Sequence, residues 1–176
     1  KIFDHTGASI PRGIIVAAFE HVLDLKLVHG YDIDALSMSF GGGARYDGRD
    51  FYEQLIDTFT ANDITPVAAA GNNGPASMTV ATPGAAYTAI TAGMAADPVH
   101  TRAYWDYYYL RPPALPPGQG STLFTSSTPQ IDTISSRGPS ADGRLKPTLS
   151  ATGRYVLSAY TYLSTTTIAW ASGTSM

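Results

Sequence analysis

Along the first thirty positions the apolar residues Ile14, Ala18, Val22 and Leu25 recur at a helical spacing. Ser9 is a candidate cap, Pro11 falls in the first turn, and Gly30 after His29 suits the left-handed position that ends a helix. Ala35 to Phe40 is a short, mostly apolar run closed by Gly41-Gly42-Gly43, which predicts a strand running into a glycine loop. A second helix follows, with Phe51, Leu55 and Phe59 on one face and Glu53, Gln54 and Asp57 on the other. Ile64 and Val67 to Ala70 then form an apolar strand stopped by Gly71-Asn72-Asn73-Gly74-Pro75, and Tyr87 to Met94 reads as a third strand.

Helices alternating with short apolar strands are the pattern of an α/β protein, a parallel β-sheet flanked by helices. Ligands in such sheets bind beyond the carboxyl ends of the strands, where residues 41–43 and 71–75 both fall. Residues 97–122 hold Pro98, Pro112, Pro113, Pro116 and Pro117 beside Tyr104, Trp105, Tyr107, Tyr108 and Tyr109, and read as a long loop excursion. From Leu123 onwards, short apolar pieces at Gln130 to Ile134, Tyr155 to Tyr160 and Thr165 to Trp170 read as strands joined by turns.

The chain of 176 residues has room for one domain core and not comfortably for two. Charged residues make up only 14% against 44% hydrophobic, which excludes an ordinary disordered chain. The net charge of −3 and the lack of any Lys/Arg run argue against a nucleic-acid partner. The longest apolar stretch, Ile14 to Phe19, is far short of the ~20 residues of a membrane span, and no signal segment is visible. With no cysteine, disulfides, thiolate metal sites and cysteine nucleophiles are excluded. High Ser and Thr with few Lys and Glu leans towards a secreted, extracellular enzyme.

Two residues carry candidate chemistry. Ser175, in Ser172-Gly173-Thr174-Ser175-Met176, has the small residue before it that lets substrate approach a nucleophile, although the tripeptide alone also reads as a Ser/Thr turn. Asn72 places a side-chain amide in a tight turn after a buried strand, where it could donate to an oxyanion or simply serve the turn.

Four blocks occur in a fixed order: Ser37-Met38-Ser39-Phe40-Gly41-Gly42, AAAGNNGP at 68–75, SSRGPSADGRLKP at 135–147 and SGTSM at 172–176. Together they resemble the subtilisin-like serine peptidases over nearly the whole chain, interrupted at about residues 95–130. The resemblance implies a three-layer α/β sandwich of which residues 1–176 are a part, with a Pro/Tyr-rich insertion at about 95–130. It implies a serine endopeptidase acting on peptide or protein substrates through an acyl-enzyme on Ser175, with Asn72 as oxyanion donor. Ser39, Phe40 and Gly41 would pair with an extended peptide. Ala69, Ala70 and Gly71, with Ala81, Thr82, Pro83 and Gly84, would line the pocket for the residue before the scissile bond. Those segments contain no acid and Ala81 is small, so the expected preference is for medium apolar or aromatic side chains. The peptide bond before the proline matching Pro83 is often cis in the family.

The sequence departs from the family pattern in several places. The Asp and His of the triad are not in their blocks here and are expected upstream of Lys1, so this segment needs the remainder of the catalytic domain and is expected to be inactive alone. His5, His21, His29 and His100 read as ordinary histidines rather than substitutes. Thr148 stands where the family usually has Asp, and Ala151-Thr152-Gly153 where it has Ala-Pro-Gly. Arg137 and Asp142 are expected to fix the turn around Gly138-Pro139, and the aromatic cluster either caps the cleft or packs on the body. No metal ligand is assigned in this segment. Calcium is possible in the full domain, and within this segment only a weak cation site on carbonyls near Gly84, Ala86 and Ala89 could lie. Two alternatives stay open: a non-catalytic subtilisin-like scaffold or binding domain, and a relative of the serine-carboxyl peptidases. Asn72 speaks against the second, because that group uses an Asp for the oxyanion.

Overall fold

A computed structural model of the chain describes residues 11–109, 118–159 and 167–176, with the side chain of Tyr109 left aside. Helix α1 (Arg12–Leu27) begins directly after Pro11, which is its N-cap. A proline there gives up no helical hydrogen bond. Ser9, the expected cap, lies outside the described residues, as do His5 and the prolines at 112, 113, 116 and 117. Beyond the helix Gly30 adopts the expected positive φ of 70°, and the Tyr31 N–H donates to Leu25 O at 3.0 Å. The Lys26 ammonium donates to Ile33 O and Asp63 O, tying α1 to the segments that lead into the next two strands.

Strand β1 (Ala35–Met38), helix α2 (Phe51–Thr60) and strand β2 (Thr65–Ala69) follow the expected order. Asp50 caps α2 by accepting from the Tyr52 N–H at 3.0 Å, while Glu53 Oε2 accepts from the Asp50 N–H at 3.3 Å. This reciprocal capping box satisfies donors that a helix start leaves unpaired. Strand β3 (Ile90–Ala96) starts later than the apolar run beginning at Tyr87 predicts. Thr88 explains the delay: its N–H and hydroxyl both donate to Asp57 Oδ1, so this backbone is committed to α2 and not to the sheet.

The proline-rich stretch is not simply a loop. Helix α3 (Pro98–Tyr109) and the short α4 (Gly120–Leu123) occupy its described part. Pro98 stands at the first helical position, Asp97 Oδ1 accepts from the Val99 and His100 N–H groups, and no proline or glycine interrupts residues 99–109. The prolines gather after the helix.

Strands β4 (Gln130–Ile131) and β5 (Leu149–Thr152) complete the main sheet. β1, β2 and β3 run parallel in that order, with Ser37 opposite Val67 and Val67 opposite Ile90. β5 pairs parallel with β3, Ala92 opposite Leu149, and β4 pairs antiparallel with its end. A separate antiparallel hairpin joins β6 (Val156–Ala159) to β7 (Ile168–Ala171) and leads directly into Ser172. The ends of the predicted strands at Tyr160 and Thr165 fall outside the described residues.

The core lies where α1 and α2 meet the sheet. Phe19, Met38, Ile56, Phe59, Ile64 and Ala68 are buried together, and Phe19 meets Phe59 edge to face at 5.4 Å. Strand positions nearer the site are small, among them Ala69, Ala70, Ala95 and Ala96, all buried.

Candidate active site

Three segments converge at the carboxyl ends of β1 and β2. After β1, Gly42 forms an antiparallel bridge with Thr82, the two exchanging hydrogen bonds at 3.1 and 3.2 Å. After β2, the Ala81 N–H donates to Ala70 O at 2.9 Å, so residues 69–71 and 81–84 lie against each other. Ala69, Ala70, Ala81, Pro83 and Gly84 are buried, and Thr82-Pro83 is a cis peptide. The Phe40 ring packs on Phe19 at 6.2 Å between centroids, so its side chain belongs to the core side.

The turn after β7 docks onto this arrangement. The Thr174 N–H and hydroxyl both donate to Asn72 Oδ1, at 3.0 and 3.1 Å, and Thr174 Oγ1 accepts from the Gly71 N–H at 3.1 Å. With its oxygen engaged, the Asn72 amide has Nδ2 as its remaining donor group, on an exposed side chain. Gly173 packs closely beside it, since a Cβ there would stand 3.3 Å from Asn72 Nδ2. The Ser175 hydroxyl donates to Ser39 O at 3.3 Å, and the Ser39 hydroxyl donates to Ser175 O at 3.1 Å. Ser175 is thus brought to Ser39, and Thr174 to Gly71 and Asn72, residues more than a hundred positions earlier. Thr174 and Ser136 are the residues the sequence reading missed. Ser136 holds the Asn72 turn by accepting from the Asn73 N–H at 3.1 Å, and its own N–H donates to Gly71 O at 2.9 Å.

No described histidine bonds to Ser175. His21 is exposed on α1, His29 pairs with Asp24 at 3.3 Å, and His100 lies on α3. Arg137 and Asp142, expected to fix the turn around Gly138-Pro139, do so through separate partners. Asp142 takes Arg144 Nε at 2.7 Å and the Ser140 hydroxyl at 2.6 Å, which together hold its carboxyl below the usual range. The tight turn at Gly143, φ 86°, puts residues 142 and 144 on the same side, while Arg137 is tied through its backbone N–H to Thr79. Arg144 also reaches Ala85 O at 2.9 Å and lies over the Tyr87 ring at 3.9 Å, so this loop braces the 81–89 segment.

The carbonyls of Gly84, Ala86 and Ala89, named for a weak cation site, accept from the chain's own donors. Lys146 Nζ donates to Ala89 O at 2.8 Å and to Thr91 Oγ1 at 2.9 Å, the Thr91 hydroxyl donates to Gly84 O, and Arg144 approaches Ala86 O at 3.5 Å. Burial lowers the Lys146 ammonium to about 8. Thr148, where the family has Asp, accepts from the Thr91 N–H at 3.0 Å. Among the described residues no group of three His, Asp or Glu could hold a metal ion, and no helix is long and apolar enough to cross a membrane.

This parallel sheet, with an asparagine turn and a glycine-threonine-serine turn meeting at its strand ends, has the fold of the subtilisin-like proteases. A solved structure of sphericase matches 97% of the chain and 46% of its own with a TM-score of 0.66 at 23% identity. A psychrophilic protease, S41, matches 96% of the chain and 46% of its own with a TM-score of 0.65 at 22% identity. At the level of sequence the profile of the subtilase family matches residues 7–176, and the chain belongs to that family. It is 39% identical over 128 residues to pyrolysin of Pyrococcus furiosus, covering 71% of this chain and 9% of that protein. It is 31% identical over 129 residues to serine protease AprX of Bacillus subtilis, covering 72% of this chain and 24% of that protein. The chain therefore spans about a quarter or less of the length of these curated relatives.

Proposed function

We propose that this chain is the nucleophile-bearing part of a serine endopeptidase. The observation that carries the reading is the link from Asn72 Oδ1 to Thr174, which sets a side-chain amide beside the residue preceding Ser175. Family membership supports peptide or protein substrates.

In the proposed reaction a histidine base, oriented by an aspartate, takes the Ser175 Oγ proton as Oγ attacks the scissile carbonyl carbon. In this reading neither group is among the described residues, where no histidine bonds to Ser175. The carbonyl electron pair moves onto oxygen, where Asn72 Nδ2 and the Ser175 N–H donate to the developing charge. Collapse of that oxyanion breaks the C–N bond, the amine leaves with the proton from the base, and an acyl group remains on Ser175. Water activated by the same base then releases the acid and returns the serine.

The substrate strand lies along the backbone of Ser39, Phe40 and Gly41, whose side-chain bulk is turned to the core at Phe40. The residue before the scissile bond enters between Ala69-Ala70-Gly71 and Ala81-Thr82-Pro83-Gly84. No charged side chain stands in either segment, so a medium apolar or aromatic residue is preferred. The test is a peptide series varied at that one residue, hydrolysed by the full-length protein. Leu, Met or Phe is expected to give the highest kcat/KM, with cleavage lost in Ser175→Ala. Preference for Lys or Arg would contradict the pocket assignment, and no cleavage of any peptide would favour a binding or scaffold role.

A further inference from the structure

Among the described residues, aromatic side chains of α3 pack against the hairpin that carries the nucleophile turn. The Tyr104 ring of α3 stacks on Tyr155 with centroids 3.8 Å apart and planes 3° from parallel. It also meets Trp170 of β7 edge to face at 5.6 Å, and Tyr107 approaches Trp170 at 6.3 Å. Tyr155 is itself unusual, because its φ of 53° puts a bulky residue in the left-handed region. Such a conformation persists only where surrounding contacts enforce it.

The turn that Tyr155 closes is coupled to the nucleophile by short links. The Tyr155 N–H donates to Ser172 Oγ at 2.9 Å, and the Gly173 N–H donates to Gly153 O at 2.9 Å. Gly153 and Arg154 N–H groups both donate to Ala95 O, which fixes the turn to β3. Contact is so close that a Cβ at Gly153 would fall 2.5 Å from Gly173 O. Any relaxation of Tyr155 therefore moves Ser172 and Gly173, and with them Thr174 and its hold on Asn72.

We propose that Tyr104 is a positioning residue: its ring, stacked on Tyr155, holds the left-handed turn that fixes Ser172 and Gly173 and thereby aims Ser175. This inference rests on Ser175 being the nucleophile. The aromatic insertion is thus a buttress behind the catalytic turn, acting on turnover and not on substrate affinity.

The test uses the full-length protein, with peptide hydrolysis and the rate of Ser175 labelling by a fluorophosphonate as readouts. Tyr104→Ala is expected to lower kcat and the labelling rate by about 10- to 100-fold with KM nearly unchanged. Tyr104→Phe is expected to behave like the parent, since the stack needs the ring and not the hydroxyl. Adding Tyr155→Gly to Tyr104→Ala is expected to restore most of the loss, because glycine holds a positive φ without support. Val99→Ala, exposed on the same helix, is the control expected to change nothing. Should Tyr104→Ala fail to fold, Tyr104→Leu, which keeps bulk without a planar stack, is judged by the same rescue. A parent that labels at Ser175 while Tyr104→Ala or Tyr104→Leu keeps its kcat, or loses KM alone, overturns the inference and leaves the proposed function standing. A parent that never labels overturns both.

Discussion

Asn72 is available as a donor because Thr174 occupies its oxygen twice, a geometry that depends on one hydroxyl and one backbone N–H. Asn72→Ala is expected to lower kcat by about 10²–10³ with little change in KM, the range that loss of an oxyanion donor causes in subtilisin itself. Gly173→Ala tests the same spot from the other side. Its methyl would press on the Asn72 amide from 3.3 Å, and kcat is expected to fall by about tenfold, whereas an unchanged kcat would mean the amide is not where the reaction needs it. Both effects are read from initial-rate kinetics on one peptide. At this scale the sequence is legible only in combination: Ser175 and Asn72 each read as an ordinary turn residue alone, and their order among the neighbouring blocks is what distinguishes them. Lys146 was not legible, because nothing in RLKP says that the ammonium folds back onto the carbonyl of Ala89.

Among the elements, α2 shows how a local motif and the core reinforce each other. Glu53 closes the capping box but is fully buried, and Oε1 has no hydrogen-bond partner. Burial pushes its carboxyl up to about 6 from 4.5. Between those values the folded chain keeps a proton that the unfolded chain has released, so this group's contribution to stability is full below pH 4.5 and lost as pH rises through 6. Glu53→Gln is expected to flatten the fall in stability over that window, measured by urea unfolding at several pH values. An unchanged slope would mean that Glu53 is solvated. On the same helix Phe59 is fully buried against Phe19, and Phe59→Ala is expected to cost about 3–5 kcal/mol in the same unfolding experiment. Helices α1 and α2 and strands β1 and β2 were legible as elements from their apolar spacing, but the face of α2 was not: Phe51 is exposed, while Glu53 is buried with Ile56 and Phe59 because the capping box turns its carboxylate back to the Asp50 N–H. The Asp50-x-x-Glu53 spacing was a start signal that the periodicity left unused. Strand β5 was missed because Leu-Ser-Ala-Thr has no alternation, and it holds its place by pairing with β3. Helix α3 was masked by the prolines that follow it.

For the molecule as a whole, the parallel sheet delivers two glycine-flanked turns to one end, and the hairpin β6–β7 brings the serine to them. This is the architecture that membership in the subtilase family implies, carried in a chain that covers about a quarter or less of its curated relatives. In the proposed function Ser175 becomes a nucleophile when the rest of the protein supplies its base. The most direct measurement is to treat the full-length protein with a fluorophosphonate, digest it, and locate the modified residue by mass. One label is expected, on Ser175, absent from Ser175→Ala and slowed when the histidine base is removed. A native, folded protein that takes no label, or that carries it on another serine, would mean that Ser175 is not the nucleophile.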